Sequence, residues 1–236
     1  MKYGEMYKKN SEKMSKKLIF QAILKFSLGV VLVGGLIFLP AWTLHFWQAW
    51  LLMGILFIPM FFVGLVLLWK QPALLAKRLD GKEKQKEQGI VVKCSGLMFL
   101  CGFILAGLNR RFGWYMLPVW ASILGAVFFL IAYLLYAEVL RENAYLSRTI
   151  AVQEGQKVID TGLYGIVRHP MYAATLLLFL SIPIVLGSLY ALAVFAVYPI
   201  LIIFRILHEE KFLEKELDGY SEYKKKVKYR LIPLIW

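Results

Sequence analysis

Charged residues are missing from the longest stretches of this sequence. No Asp, Glu, Lys or Arg occurs in 26–69, 112–137 or 171–204, and a further apolar stretch at 90–108 is interrupted only by Lys93. One helical crossing of a bilayer takes about 20 apolar residues, so these runs exclude a soluble domain and the first is long enough for two crossings. The sequence therefore predicts an all-α, polytopic membrane protein with five to six transmembrane helices.

Residues that build metal centres and soluble cofactor folds are scarce. The two cysteines, Cys94 and Cys101, lie seven residues apart on one predicted helix. That spacing separates them by about 10 Å along the axis, too far for a disulfide. The three histidines are scattered without ligand spacing, and neither a phosphate-cradling glycine loop nor a serine elbow is present. We therefore expect no metal and none of the soluble cofactor folds.

Acidic residues are also few, 15 against 28 Lys and Arg, which gives a net charge of +13. Of the basic residues, only Arg110 and Arg111 fall at the opposite face of the predicted bundle; Lys25 and Lys93 can snorkel from helix ends, and the others belong to the termini and two long loops. By the positive-inside rule, both termini and both loops should be cytoplasmic. We expect these charges to meet anionic lipid headgroups rather than nucleic acid. The predicted segments are 18–40, 46–69, 90–108, 114–138, 171–186 and 188–207.

The loop at 70–89 carries its own helix signal. Pro72 suits the first position of a helix, Leu74, Leu75 and Leu79 form one apolar face, and Asp80-Gly81 ends it. This pattern predicts a short interfacial helix followed by a charged, solvated stretch.

Two polar clusters border the last predicted hairpin. The stretch 156–172 (QKVIDTGLYGIVRHPMY) precedes it, and Arg205, Glu209 and Glu210 follow it. Because the hairpin returns to its starting side, the clusters should lie close together. An Arg–Glu pair and a snorkelling histidine would be a purely structural alternative. A third cluster, Glu138, Arg141 and Glu142, is either an interfacial charge group or part of the same site.

The combination TGLYGIVRHPMY, then RILHEE, then GYSEYKKKVKYRLIP resembles the integral-membrane methyltransferases related to isoprenylcysteine carboxyl methyltransferase. The resemblance covers residues 140–236, and the 70–89 segment is similar to that of bacterial and archaeal relatives. It implies three parts: a basic cytoplasmic segment at 1–17, four transmembrane helices at 18–139, and a cytoplasmic-side region at 140–236 that binds S-adenosylmethionine.

The resemblance also implies site residues. Arg205 matches an arginine placed toward the methyl acceptor, and Glu210 completes an acidic pair that phospholipid N-methyltransferases share. The more upstream family contact has no secure counterpart, Gln153 being one candidate. The positions that match cofactor-binding residues are Gln156, Lys157, Val158 and Ile159, in a strand-like stretch, then Tyr164, His169, Pro170, Met171, Tyr172 and Glu209.

The expected function is methyl transfer to a lipophilic acceptor at the cell membrane, with a carboxylate favoured because it needs no general base. An amine or thiol would need one, and His208 or Glu210 are the candidates. A membrane NADPH-dependent sterol reductase is an alternative, although Met171, Ala173 and Ala174 depart from its motif. A phospholipid amine N-methyltransferase and a non-enzymatic scaffold or transporter also stay open. Acceptor identity and oligomeric state are not predicted.

Overall fold

A computed structural model of the chain describes the backbone of residues 2–79, 86–146 and 152–236, and the side chains within 16–79, 88–146 and 152–236. Nine α-helices occur in these ranges, and no β-strand forms there. In chain order they are α1 (Lys2–Ala41), α2 (Trp47–Lys70), α3 (Pro72–Leu79), α4 (Lys86–Arg111), α5 (Val119–Glu142), α6 (Pro170–Val185), α7 (Leu189–Phe195), α8 (Tyr198–Glu216) and α9 (Tyr220–Lys226).

Five helical stretches are long and apolar enough to cross a membrane: Lys16–Ala41, Trp47–Lys70, Gln88–Arg111, Val119–Glu142 and Leu189–Glu216. The helix Pro170–Val185 is also apolar but has only 16 residues. At 1.5 Å per residue it spans about 24 Å, somewhat short of a bilayer's hydrocarbon core. The prediction of an all-α, polytopic membrane protein is confirmed.

The last predicted crossing is not one continuous helix. It is divided into α7 and α8 at residues 196–197, and Pro199 lies in the first turn of α8. Proline lacks the backbone N–H that an interior helical position would use, but it is tolerated in a first turn. Pro199 therefore lies where a new helix begins and not within a continuous one.

Two glycines let neighbouring helices approach closely. A Cβ added at Gly107 of α4 would lie 2.5 Å from the Ile37 carbonyl oxygen of α1, and one at Gly125 of α5 would lie 3.0 Å from the Val185 nitrogen of α6. Neither position tolerates a side chain without separating the helices, as small residues at membrane helix contacts commonly indicate. The α1–α4 and α5–α6 pairs are thereby held as packed units.

One end of the bundle is fastened by a buried polar contact. The Ser188 hydroxyl donates to the Asn109 side-chain oxygen at 2.8 Å and accepts from the Ala191 amide at 3.2 Å. The Leu117 amide also donates to the Gly187 carbonyl at 2.9 Å. These bonds join the α4–α5 loop to the α6–α7 turn, at the end away from residues 143–169.

The short helix predicted in the 70–89 loop is present. It starts at Pro72, and Leu74 and Leu75 are buried. The ammonium of Lys25 donates to the carbonyl of Leu79, so a cation covers the C-terminal end of α3. The predicted stop at Asp80-Gly81 lies outside the described residues.

The apolar C-terminal tail packs back onto the protein, as expected. Leu231 is buried in the main core, and Trp236 packs against that core. The backbone amides of Arg230 and Leu231 both donate to the Trp236 carbonyl at 2.9 Å. The tail is therefore a folded cover over residues 168–169, whose amides bind the carbonyls of Tyr229 and Arg230.

Candidate functional site

The two polar clusters at the ends of the hairpin meet around one cavity. It has about 120 Å³ of space for water-sized molecules and is partly open to solvent. All ten residues predicted to contact the cofactor line it, and so does Arg205. Their convergence places residues from 156–172 and from the end of α8 within reach of a single ligand.

The turn at 161–165 is fixed by a carboxylate from α5. Glu142 Oε2 accepts from the Leu163 amide at 3.0 Å, at the start of a 3-10 turn at Gly162–Gly165. Gly162 has a φ of +52°, and a Cβ there would lie 1.4 Å from Glu142 Oε1. Only glycine fits this position. Glu142 fixes the turn through its carboxylate. Glu138 and Arg141 pair with each other on the exposed surface.

Residues 156–159 line the cavity without forming a strand. The Gln156 side-chain oxygen accepts from the Gln153 amide at 2.9 Å, which closes a local turn. Gln153 binds the Lys77 ammonium and the Tyr145 carbonyl, and it is not among the residues that line the cavity. The strand-like stretch implied by the resemblance is thus an irregular wall that α3 contacts through Lys77.

The opposite wall contains a continuous polar relay. Arg205 Nε donates to the Tyr172 hydroxyl at 2.7 Å, and that hydroxyl donates to Glu209 Oε2. Arg205 and Glu209 are four residues apart on α8 and so project from one face. Tyr172 and Arg205 are both buried. The relay holds a cation and a carboxylate in fixed positions beside the cavity.

Glu210 belongs to a second polar group and does not itself line the cavity. Its carboxylate accepts from Arg168 Nε at 2.7 Å and Arg230 Nε at 3.0 Å, and His169 Nε2 lies 3.2 Å away. Arg168 also donates to the carbonyls of Val227 and Lys228 at 2.7 and 2.8 Å. The adjacent carboxylates Glu209 and Glu210 therefore face different surroundings, and Glu210 is not a cavity-lining residue.

Arg168 and His169 are enclosed by the C-terminal segment. Both side chains are buried, at 6% and 5% exposure. Arg168 reaches the Glu210 carboxylate and the chain at 227–228 because the C-terminal segment folds over it. The segment that covers them is far away in sequence, so local pattern could not reveal their burial.

His208 and Glu210, the candidate general bases for an amine or thiol acceptor, are both absent from the cavity lining. His208 is exposed on the outer face of α8, and its Nδ1 lies 2.8 Å from the Phe204 carbonyl oxygen. Within the part of the chain that the structure describes, no group of His, Cys, Asp and Glu is arranged to hold a metal ion.

Tyr220 and Tyr223 of α9 complete the cavity wall, and the sequence analysis had assigned them no role. They follow Gly219, whose φ of +81° turns the chain from α8 into α9. The GYSEY segment, a glycine followed by two tyrosines three residues apart, was a usable signal. The other lining residues that had no assigned role are Asn143, Tyr145, Leu146, Arg168, Leu213 and Leu217.

Tyr164 connects the two walls. Its hydroxyl accepts from the Asn143 amide nitrogen at 2.9 Å, and its carbonyl accepts from the Tyr223 hydroxyl at 2.7 Å. Burial raises the pKa of Tyr164 to about 12. The phenol is therefore protonated at neutral pH and acts as a fixed structural group.

A separate apolar groove lies beside the cavity. It has about 320 Å³ of space for water-sized molecules and is lined by side chains of α5, α6 and the C-terminal tail. Its first α6 residue, Ala173, directly follows Tyr172 of the relay. The lining residues are Phe128, Ala173, Leu176, Leu177, Leu180, Ser181, Ile184 and Ile232.

The chain is similar to two kinds of known protein. Over 91 residues the chain is 32% identical to the Delta(14)-sterol reductase of Mus musculus; the match covers 37% of this chain and 22% of that protein, so the chain spans about a fifth of the relative's length. Residues 120–218 match the family model for phospholipid methyltransferases. The segment from α5 to the end of α8, which forms most of the cavity, is thus similar to proteins of that family.

Proposed function

We propose that this protein transfers a methyl group from S-adenosylmethionine to a lipophilic acceptor at the membrane. The observation that carries the proposal is the convergence of 156–172 with Arg205 and Glu209 on one cavity. The match of residues 120–218 to phospholipid methyltransferases supports the same reaction class. Within this proposal, residues 140–236 form the cofactor region, and 18–139 supply the membrane scaffold.

The cavity residues fit such a cofactor. The cofactor supplies an electrophilic methyl group on a sulfonium centre, so the protein needs to position reactants and exclude water. Glu209 offers a carboxylate for a ribose diol or an ammonium group, and Leu213 and Leu217 offer an apolar surface for the base. The tyrosine rings of the lining provide faces that can stabilise a cation.

The relay favours a carboxylate acceptor. A carboxylate is already ionised near neutral pH, so no proton has to be removed before it attacks the methyl group. Arg205, held by the Tyr172 hydroxyl at 2.7 Å, can orient that carboxylate. The two bases that an amine or thiol would require, His208 and Glu210, do not line the cavity. The preferred activity is therefore carboxyl methylation similar to that of isoprenylcysteine carboxyl methyltransferase.

The apolar groove supports a lipid-like acceptor. It runs along α6 from Ala173 to Ile184, beginning next to the relay residue Tyr172. A hydrocarbon chain in the groove would place a polar end group near the relay, which is the arrangement that methylation of an amphipathic lipid requires. A phospholipid amine would use the same groove, and the chemistry of the product distinguishes the two acceptors.

The direct test is incubation of the purified protein with radiolabelled S-adenosylmethionine and total membrane lipid, followed by extraction of the labelled product. A carboxyl ester releases volatile label in mild base, whereas a methylated amine or ether keeps it. We expect base-labile label in a lipid fraction. Base-stable label would show that the acceptor is not a carboxylate and would favour an amine. Absence of label in every fraction would contradict methyl transfer to a lipid.

A reductase of the sterol type is the second candidate, because the Delta(14)-sterol reductase of Mus musculus is 32% identical over 91 residues. Titration with NADPH in detergent separates the two. Saturable NADPH binding without S-adenosylmethionine binding would contradict the methyltransferase proposal and support the reductase.

We also propose that both termini and the cavity face the cytoplasm. Among the Lys and Arg residues that the structure describes, only Arg110 and Arg111 lie at the end of the bundle opposite the cavity. The test uses a variant with Cys94 and Cys101 replaced by alanine and a single new cysteine at Tyr115 or at Lys157. An impermeant maleimide added to intact cells should label Tyr115→Cys and not Lys157→Cys; the reverse pattern would invert the topology.

A further inference from the structure

Five tyrosines line the cavity, and four have a hydrogen-bond partner for their hydroxyl. Tyr145 donates to the Gly155 carbonyl at 3.1 Å, Tyr164 accepts from Asn143, Tyr172 belongs to the relay, and Tyr223 donates to the Tyr164 carbonyl at 2.7 Å. Tyr220 differs: its hydroxyl is buried, and no partner for it occurs among the described residues. Buried polar groups in proteins are almost always paired, so this one requires a specific explanation.

The Tyr220 ring packs among apolar side chains of the cavity wall. Tyr220 is 4% exposed and packs in a cluster with Leu217, Tyr223 and Val227, against which Val158 and Leu213 also pack. Of these, Val158, Leu213, Leu217 and Tyr223 also line the cavity. An apolar slot with one polar group suits a flat heteroaromatic ring better than a charged or aliphatic group.

Another part of the cavity wall is polar. Arg205, Tyr172 and Glu209 concentrate charge and hydrogen-bonding groups there. An amphipathic nucleoside with a charged side chain therefore has one favourable direction, with its base toward α9 and its charged part toward the relay.

We propose that Tyr220 is the base-recognition residue of the site, its hydroxyl donating a hydrogen bond to a ring nitrogen of the cofactor's adenine. This inference rests on the proposed use of S-adenosylmethionine. Ring nitrogens of adenine are hydrogen-bond acceptors, and the phenol is a suitable donor because it holds its proton. Burial first, and then the carboxylates of Glu210 and Glu209, raise the pKa of Tyr220.

The binding experiment uses S-adenosylhomocysteine as the probe, with its 1-deaza, 3-deaza and 7-deaza analogues. Each analogue replaces one ring nitrogen by a C–H group. Calorimetry in detergent compares the unaltered protein with Tyr220→Phe. We expect Tyr220→Phe to bind S-adenosylhomocysteine roughly 2- to 13-fold more weakly, the loss of one hydrogen bond. The analogue that lacks the accepting ring nitrogen should bind the unaltered protein and Tyr220→Phe with equal affinity.

A stability measurement without ligand separates ligand recognition from a structural role. Removing an unpaired buried hydroxyl should leave the thermal midpoint of the ligand-free protein unchanged or raise it. The matched control Tyr223→Phe should lower that midpoint, because its hydroxyl is bonded to the Tyr164 carbonyl. A lowered midpoint for Tyr220→Phe would overturn the inference by revealing a structural partner.

The remaining outcomes distinguish this inference from the proposed function. Equal affinity of Tyr220→Phe and the unaltered protein for S-adenosylhomocysteine would overturn the base-recognition role alone. A loss of affinity that persists equally for all three deaza analogues would overturn it too, since the hydroxyl would then contact another part of the ligand. Absence of saturable binding to the unaltered protein would overturn both.

Discussion

The hydroxyl of Tyr172 accepts a hydrogen bond from Arg205 Nε at 2.7 Å and donates a hydrogen bond to Glu209 Oε2. This contact joins the start of α6 to the middle of α8. It thereby links the stretch 156–172 to the Arg205–Glu209 pair. It makes the positions of the guanidinium and the carboxylate mutually dependent. Removing the hydroxyl should therefore affect both sides of the site.

Tyr172→Phe deletes this shared hydroxyl and keeps the ring. Charge-assisted hydrogen bonds contribute about 1.5–3 kcal/mol, so methyl transfer should fall about 10- to 100-fold in kcat/KM. The measurement is transfer of radiolabel to membrane lipid. Tyr190→Phe is the control, because Tyr190 is exposed near Trp114 at the other end of the bundle. An unchanged rate in Tyr172→Phe would mean that the relay does not orient the reactants.

Glu210→Gln should act on stability. Its carboxylate is 3% exposed and lies against Arg168, His169 and Arg230. Breaking a buried ion group leaves unpaired charge, and we expect the free energy of unfolding to fall by about 3–5 kcal/mol. Denaturant unfolding in detergent, followed by circular dichroism, measures it. Glu216→Gln, on the exposed side of α8, should change stability by less than about 0.5 kcal/mol. Equal stability of the two variants would refute the structural role of Glu210.

Gly162→Ala tests the support that Glu142 gives to the turn at 161–165. The substitution meets a left-handed backbone and also displaces the Glu142 carboxylate. Gly155→Ala meets only the backbone cost, about 1–2 kcal/mol, because nothing lies within 4 Å of its added Cβ. We expect Gly162→Ala to lose more stability than Gly155→Ala and to weaken S-adenosylhomocysteine binding. The double variant Gly162→Ala, Glu142→Ala should recover part of the loss; failure to recover any would place the strain elsewhere.

Asn109→Ala tests whether the far end of the bundle is independent of the cavity. Asn109 is fully buried and accepts from Ser188 at 2.8 Å, so its loss should cost about 1–3 kcal/mol of stability. The affinity for S-adenosylhomocysteine should remain within about twofold, because sites far apart with no shared partners behave additively. A larger change in affinity would show that the fastening at Asn109 is coupled to ligand binding.

The fold class and the choice of lining residues could both be predicted from the sequence, for different reasons. Uncharged runs identify crossings because a bilayer excludes charge. The polar clusters around Tyr172 and Glu209 could be paired because a hairpin returns its ends to one side. The division between α7 and α8 was harder to predict, since Pro199 marks either a kink or a new first turn.

The parts that the sequence did not reveal depend on contacts between distant segments. Arg168 is buried because residues 227–228 fold over it, and Glu210 is held by Arg230 from the C-terminal segment. Tyr220 enters the wall because Gly219 adopts a left-handed conformation and turns α9 back. None of these contacts has a periodicity, so a single sequence contains no direct signal for them.

On the proposed function, Glu209 contacts the bound cofactor, while its neighbour Glu210 stabilises the fold. Calorimetric titration of S-adenosylhomocysteine into the purified protein, Glu209→Gln and Glu216→Gln tests it most directly. We predict saturable 1:1 binding to the unaltered protein and to Glu216→Gln, and about 10-fold or weaker binding to Glu209→Gln, the loss of a charge-assisted hydrogen bond, with its unfolding midpoint nearly unchanged. Equal affinity of all three proteins, or no saturable binding to any of them, would contradict the claim.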